Sequence, residues 1–507
     1  VDELVDRWRE TSKISRRHFL GTTAITAAGL AITGCGRFQD KPSTPQSTEK
    51  VLIIGAGIAG LTAGYRLTQK GVPVRILEAQ SRTGGRMYSE RDHFPEQVVE
   101  LGGEFIDTNH ENLRNLAAEL GLALDDFNQD DPALVRDVWF FKGQRFSDAE
   151  VVKAFRPVAA KIDEAWEMVT GETVSYKEPN NGEAIDRLSI AEWLDKAGAE
   201  GWFRALLDVA YTTEYGLEID QQSAWNFLMM IDTNPEPFRI FGESDERFHV
   251  RGGNDQIPAA LTRKLGDHIQ TGTRLEAVTL AADGTYRCSV RRGQTSETLS
   301  ARHVVLAIPF TMLRQVRIDV ELPPVKRRAI QELGYGTNAK LMVGFSERLW
   351  RTVGGSNGSI MTDLPFQLTW EATRMQSGTP GVLVDFTGGH RGVEIGGGTE
   401  EEQAKRFAVD LEQIFPGIAE RRLNQVRFHW PTFPYTRGSY AAYRPGQWTG
   451  FGGAEGERVG NLHFAGEHCS VDFQGFMEGG CETGERVAAE IIADLGLAPK
   501  AREEKAA

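Results

Sequence analysis

The chain has 507 residues, 40% of them hydrophobic and 9% aromatic, which is enough for two or three domains with sizeable cores. Its formal charge of -14, from 57 Lys+Arg against 71 Asp+Glu, includes no basic stripe, so nucleic acid would be repelled rather than bound. The four cysteines, Cys35, Cys288, Cys469 and Cys481, form no CxxC and no His/Cys cluster at metal-ligand spacing, so the pattern suggests neither a metal site nor a disulfide framework.

The first segment reads as an address. Arg16 and Arg17 stand just before Phe19 and Leu20, and the mild apolar run from Gly21 to Gly34 is too short and too weakly hydrophobic to stay in a bilayer. Residues 1–35 resemble a twin-arginine export signal, and "ITGC", ending at Cys35, resembles a lipoprotein box. The expectation is export through the twin-arginine translocation machinery to a periplasmic or other extracytoplasmic location, with Cys35 a candidate lipid anchor. Residues 36–49 are polar and rich in Pro, Ser and Thr, as in a flexible tether.

The apolar run Val51 to Ile54 fits a parallel strand buried on both faces. In the turn that follows, Gly55 permits the tight bend, Gly57 lets the backbone approach a pyrophosphate, and Gly60 lets a helix lie close to the sheet. A second strand, "PVRILEA", ends in Glu78, a carboxylate suited to a ribose diol. The second glycine loop, "RTGGRM", with Gly85 and Arg86, favours FAD over NAD. "VVELGGEFID" then supplies Gly102 and Gly103, able to pass close to a planar ring. From "GAGIAG" through "RTGGRM" to "ELGGEFID" the chain resembles the flavin amine oxidase family, which includes monoamine, polyamine and L-amino acid oxidases.

The resemblance covers nearly all of residues 50–496 and implies a two-domain, Rossmann-type α/β fold (GR2-like) with an interleaved α+β substrate-binding domain. The FAD-binding domain is expected at 50–122, 246–322 and 433–496, the substrate-binding domain at 123–245 and 323–432, and a polar tail at 497–507. By that resemblance Val278 offers its backbone to the adenine, and Gly466 and Glu467 of "FAGEH" hold the ribityl or pyrophosphate region. Met477 opens a helix whose positive end faces the flavin.

The family also implies the chemistry. A neutral amine gives hydride from its alpha carbon to flavin N5, the imine is hydrolysed, and O2 or another acceptor reoxidises the flavin, with hydrogen peroxide as the product of O2. Lys340 matches the lysine that reaches the flavin through a water, and Trp430 sits where relatives stack an indole beside it. Relatives with covalent flavin have a cysteine where this chain has Tyr440, so FAD is expected to be noncovalent. Phe476 matches one wall of the aromatic cage, while the other wall falls on Ala441, leaving the cage half open unless Tyr440 or Tyr443 leans in.

The substrate is read as a small-molecule amine or amino acid, and a homodimer is a further candidate assembly. Phe105 occupies the position of the carboxylate-binding arginine of several L-amino acid oxidases, which counts against an amino acid and leaves Arg437 or Arg374 as substitutes. Glu104 and Asp107 are placed to meet a second ammonium group. The alternatives are an L-amino acid oxidase, a carbon-carbon desaturase of the protoporphyrinogen oxidase kind that has no need of Lys340, and a non-catalytic exported flavoprotein with a blocked pocket.

Overall fold

The computed structural model describes residues 49–497 except 172; the expected signal, nearly all of the tether and the C-terminal tail lie outside the described residues. The described chain opens on strand β1 (Glu49–Ile54), in which Val51–Ile54 are buried, as an apolar run inside a parallel sheet requires. A glycine turn leads into helix α1 (Ile58–Gln69), and strand β2 (Val74–Leu77) returns parallel to β1. Helix α1 lies close to the sheet because Gly60 lacks a side chain: a Cβ there would stand 2.0 Å from the Gly55 carbonyl oxygen.

The chain re-enters this sheet through β3 (Thr273–Leu280) and β4 (Thr295–Leu306). The first half of β4 pairs antiparallel with Tyr286–Arg292 and the second half parallel with β1, so a single long strand joins the two parts of an eight-stranded mixed sheet. A second, seven-stranded sheet contains β5 (Ala339–Phe345), β6 (Leu368–Glu371) and β7 (Gly381–Thr387). Two of its strands, Val138–Phe141 and Gln144–Phe146, come from the first insertion, and Val138–Phe140 pairs in parallel with Ile360–Thr362 of the second. Both insertions therefore build one domain. The last return is β8 (Leu462–Phe464), parallel to β4, followed by helix α2 (Met477–Asp494), which packs on α1. Among the described residues no helix is long and apolar enough to cross a membrane.

Two boundaries differ from those expected. Leu124–Asp126 pairs with Phe248–Val250, so the first insertion starts after Asp126. Helix Pro324–Glu332 buries Ala329 and Ile330 in the core behind the first sheet, so the second insertion starts near residue 334. An amphipathic period shows that a helix has a buried face; it does not show which sheet receives that face.

The Gly60 contact gives a test. Gly60→Ala must push α1 away from the turn at Gly55, and is expected to cost about 1–3 kcal/mol, the range for overpacking. It should also lower the bound flavin per protein. Thermal melting and the flavin-to-protein absorbance ratio measure the two effects.

Candidate active site

A cavity of about 740 Å³ lies between the two sheets, within the ~300–1,000 Å³ typical of small-molecule sites. Glu78 and Thr273–Glu276 line it in the first domain, as do Gly55, Gly57, Gly85, Arg86, Gly102, Gly103, Gly466 and Glu467. Lys340, Trp370, Phe386, Glu214 and Tyr440 line it from the other side.

Glu78 ends the strand run of β2 with both carboxylate oxygens engaged, Oε2 accepting from the Ala56 N–H and Oε1 from the Gln80 N–H, each at 2.8 Å. Burial raises its pKa. Val278, expected beside an adenine, does not line the cavity. It is fully buried within β3, in register with Cys288 and Ile318 on its two sides, and Leu275 lines the cavity instead. The sequence locates the strand but leaves open which of its residues lies at the cavity end.

Arg86 Nη1 donates to the Ser439 carbonyl and to Glu467 Oε1, both at 2.8 Å, and Glu467 Oε2 accepts from the Gly475 N–H at 2.9 Å. Glu467 thus fixes Arg86 and the loop ahead of α2, beyond lining the cavity as expected. The Gly103 N–H donates to the Arg86 carbonyl at 3.0 Å, which holds the two glycine loops together, and Met477 lies against Gly103.

Lys340, on β5, lines the cavity but is 5% exposed. Its ammonium donates to the carbonyls of Glu100 (3.0 Å) and Gly102 (2.9 Å) and to Glu104 Oε2 (2.8 Å). All three of its protons are engaged, so the expected contact through a water requires one of these bonds to open. Glu104 Oε1 accepts from Trp370 Nε1 at 2.8 Å. Its carboxylate is therefore committed to Lys340 and Trp370 rather than to a second ammonium group.

The aromatic walls differ from expectation on one side. Phe476, at the N-terminal boundary of α2, lines the cavity together with Tyr440, whereas Ala441 is buried in the first-domain core, its N–H directed at Glu467 Oε2. Along this stretch the residue facing the cavity is Tyr440, one of the two tyrosines the sequence offered in place of Ala441, so the lining is aromatic on both sides. Trp430 is buried, lines the cavity, and donates to the Leu101 carbonyl at 2.9 Å. Phe105 also lines it, its ring 5.3 Å from that of Trp370 and 5.2 Å from the Arg374 guanidinium.

Asp107 has two companions that sequence reasoning missed, Glu214 and Glu246, all three lining the cavity. Asp107 Oδ1 accepts from the Glu246 N–H at 2.8 Å. Burial raises the Asp107 carboxyl to about 6, burial and the Asp107 charge raise Glu214 to about 7, and the same two causes raise Glu246 to about 8. Glu246 has ample accessible surface, yet its carboxyl is strongly desolvated; lining the cavity reconciles the two, since that surface opens inward. Nothing in "TTEY" or "SDER" marks these glutamates, because one ends a helix within the first insertion, the other follows that insertion, and they meet only through the fold.

The family model of flavin containing amine oxidoreductase matches residues 58–492. The chain belongs to that family. Among relatives, it is 27% identical over 488 residues to a flavin-containing amine oxidase of Oncorhynchus mykiss, covering 90% of this chain and 88% of the relative. It is equally 27% identical over 469 residues to an L-amino acid dehydrogenase of Synechocystis sp., covering 88% and 96%. The fold is that of cyclohexylamine oxidase from Brevibacterium oxydans IH-35A, with TM-score 0.78, 24% identity and 89% of this chain covered against all of the other. It is also that of putrescine oxidase bound to putrescine, with TM-score 0.76, 21% identity and the same coverage.

This amine oxidoreductase has a site that fits a flavin dinucleotide. A Cβ on Gly57 would meet only the Gly85 Cα, at 4.0 Å, and would otherwise fill the trough where a pyrophosphate passes the start of α1. The enzyme is an FAD-dependent oxidoreductase acting on amines, and the residues above are those that would hold its cofactor.

The Lys340–Glu104 pair can be tested by a double-mutant cycle. Lys340→Met leaves Glu104 buried without its cation and is expected to destabilise by about 3–5 kcal/mol. Lys340→Met/Glu104→Leu, with both charges gone, should recover much of that loss in denaturant unfolding.

Proposed function

We propose that this enzyme oxidises a primary amine that carries a second cationic nitrogen, such as an α,ω-diamine or polyamine. The observation that supports the reading is the set of three desolvated carboxyls, Asp107, Glu214 and Glu246, on the same cavity as the aromatic residues Tyr440 and Phe476. Their raised pKa values mean that each lacks a sufficient counter-charge. An ammonium group placed among them would restore their ionised forms. Glu104, engaged by Lys340 and Trp370, takes no part in this.

FAD bound in the cavity supplies the two-electron acceptor, and its reoxidation by O2 accounts for an overall conversion of amine, water and O2 to aldehyde, ammonia and hydrogen peroxide. The chain's own contributions are positional. Tyr440 and Phe476 flank the reacting amine and exclude water from its alpha carbon, and the acidic set anchors the far nitrogen, fixing which carbon is presented. Lys340 holds the Glu100–Glu104 loop and offers a positive charge next to the cavity. The site needs neither a protein nucleophile nor a metal ligand for this reaction. No cysteine lines the cavity among the described residues, which supports noncovalent FAD. The open cavity speaks against a purely structural flavoprotein. Of the two carboxylate-binding candidates, Arg437 lines the cavity and Arg374 does not, Arg374 instead facing Glu246 and Glu104 electrostatically; the preference for an amine over an amino acid rests on the acidic set. The twin-arginine motif supports export after FAD is loaded, since three separated chain segments must assemble before the cofactor can bind.

A peroxide-coupled screen with anaerobic flavin bleaching tests the reading: diamines should bleach the flavin faster than monoamines of equal length. Bleaching by L-amino acids alone would overturn it. The pH profile adds a sign. Asp107, Glu214 and Glu246 lose protons as pH rises through about 6, 7 and 8, while the distal ammonium stays charged, so KM for a diamine should fall between pH 6 and 8 relative to a matched monoamine. Without substrate, the same groups bind more protons folded than unfolded. Their contribution to stability is therefore full below the ordinary carboxylate range and is lost by about pH 8. Glu246→Gln or Glu214→Gln is expected to lower diamine kcat/KM by roughly tenfold or more, the worth of a charged hydrogen bond, and to leave monoamine turnover nearly unchanged.

A further inference from the structure

Within the first sheet and outside the cavity lining, two histidines 160 positions apart in the chain come together. His303 lies on β4 and His463 on β8, both buried, with His303 Nδ1 3.3 Å from His463 Nε2 and their rings roughly parallel. His463 Nδ1 contacts Glu490 Oε2 of α2 at 2.8 Å. A carboxylate can only accept, so Nδ1 carries the proton and Nε2 presents a bare lone pair towards His303. Asp494, in the last turn of α2, completes the group: one ligand atom from each of His303, His463 and Asp494 lies within 4.8 Å of the others.

We propose that His303, His463 and Asp494 form a structural site for a zinc-like divalent cation, with water as the fourth ligand. Three features carry this. In a tetrahedral site with Zn–N of about 2.0–2.1 Å, two nitrogen ligands stand roughly 3.3 Å apart, and that is the separation found between the two imidazoles. The Glu490 carboxylate behind His463 is the outer partner that metal-bound histidines regularly have, fixing tautomer and ring orientation before the ion arrives. Asp494 is exposed at a helix end, and its carboxylate has to close a gap of at most about 1.5 Å to reach the same tetrahedral edge. Two imidazoles and a carboxylate form a set that prefers zinc to calcium or magnesium.

The groups facing the site are of both signs. Arg458 Nη1 holds Asp494 Oδ2 at 2.5 Å, and Arg486 pairs with Glu490 at 2.8 Å. Arg458 therefore competes with the cation for Asp494 and must swing aside, which a side chain 43% exposed to solvent permits. The ion would tie together β4, β8 and α2, which lead on the cavity side to Ala307–Pro309, Gly466–Glu467 and Phe476–Met477. None of its three ligands lines the cavity, so the cation would act on the frame that grips the flavin and not on the reaction. The inference is independent of which amine the enzyme oxidises.

The test is zinc chloride titrated into chelator-treated, flavin-loaded enzyme, followed by calorimetry and thermal melting. One equivalent should bind, raise the melting temperature and slow flavin loss, with KM unchanged, and anomalous diffraction at the zinc edge should place the ion between the two imidazoles. Asp494→Asn, on the exposed helix end and safe for folding, should weaken binding at least tenfold. Glu490→Gln should weaken it about tenfold, as loss of an outer partner does, and Arg458→Ala should tighten it. Absence of saturable one-to-one binding would overturn the proposal, leaving a plain imidazole–imidazole hydrogen bond. So would binding that Asp494→Asn and His303→Gln leave unchanged, since the zinc would then sit elsewhere.

Discussion

The ammonium of Lys340 joins the two domains at a single point. It projects from β5, next to the edge strand of the second sheet, and is held by two carbonyls and one carboxylate, all from the Glu100–Glu104 loop of the first domain. A charge this deeply buried is tolerated only when every donor is satisfied, and satisfying these three fixes the loop relative to β5. The loop in turn carries Gly102 and Gly103, and the Gly103 N–H is bonded to the Arg86 carbonyl while Arg86 is clamped by Glu467. A chain of contacts therefore runs from the substrate-domain sheet through both glycine loops to the start of α2. If one carboxylate, Glu104, were withdrawn to bind substrate, Lys340 would lose its counter-ion and the alignment of the domains would loosen. That is the physical reason why substrate charge must be met by other residues.

Those other residues are costly to keep. Asp107, Glu214 and Glu246 gain nothing from folding at neutral pH, because burial and mutual repulsion each favour the protonated form. Nearby Arg374 relieves only Glu246, and only in part: its guanidinium lies over the rings of Phe105 and Phe127 and is shared electrostatically among Glu246, Glu104, Glu371 and Asp130. A cavity wall with raised carboxyl pKa values and aromatic neighbours is a common place for binding energy to be stored, since a ligand of opposite charge recovers what folding gave up.

The sequence showed the dinucleotide half of the site well because that half is local. Gly55, Gly57 and Gly60 act through one strand, one turn and one helix, and Glu78 ends the next strand; all are set by backbone geometry within a few turns of chain. Lys340 and Trp430 were visible only by resemblance, and the structure places both on the cavity. One departure lies along an extended segment: Leu275 rather than Val278 lines the cavity, and a bulge between Leu275 and Ala277 interrupts the regular register of β3. Beside Phe476 it is Tyr440, one of the two tyrosines the sequence offered, that faces the cavity in place of Ala441. The helix at Pro324–Glu332 went to the wrong domain because its periodicity does not name its partner.

What the sequence could not show is what only long-range assembly creates. Glu214 ends a helix of the first insertion, Glu246 precedes the strand that returns to the first domain, and Asp107 lies more than a hundred residues earlier, yet they share one field. His303 and His463 are likewise brought together by the parallel pairing of β4 and β8, with Val304 opposite Leu462. In each case the residues are ordinary in their local context and unusual only in their company. Spacing rules for metal and catalytic motifs work where one helix or one loop supplies the ligands. In a fold whose domains are each built from separated segments, the chemistry instead gathers where those segments meet, as the paired histidines do where β4 lies against β8 and the amine cavity does just beyond the ends of those strands.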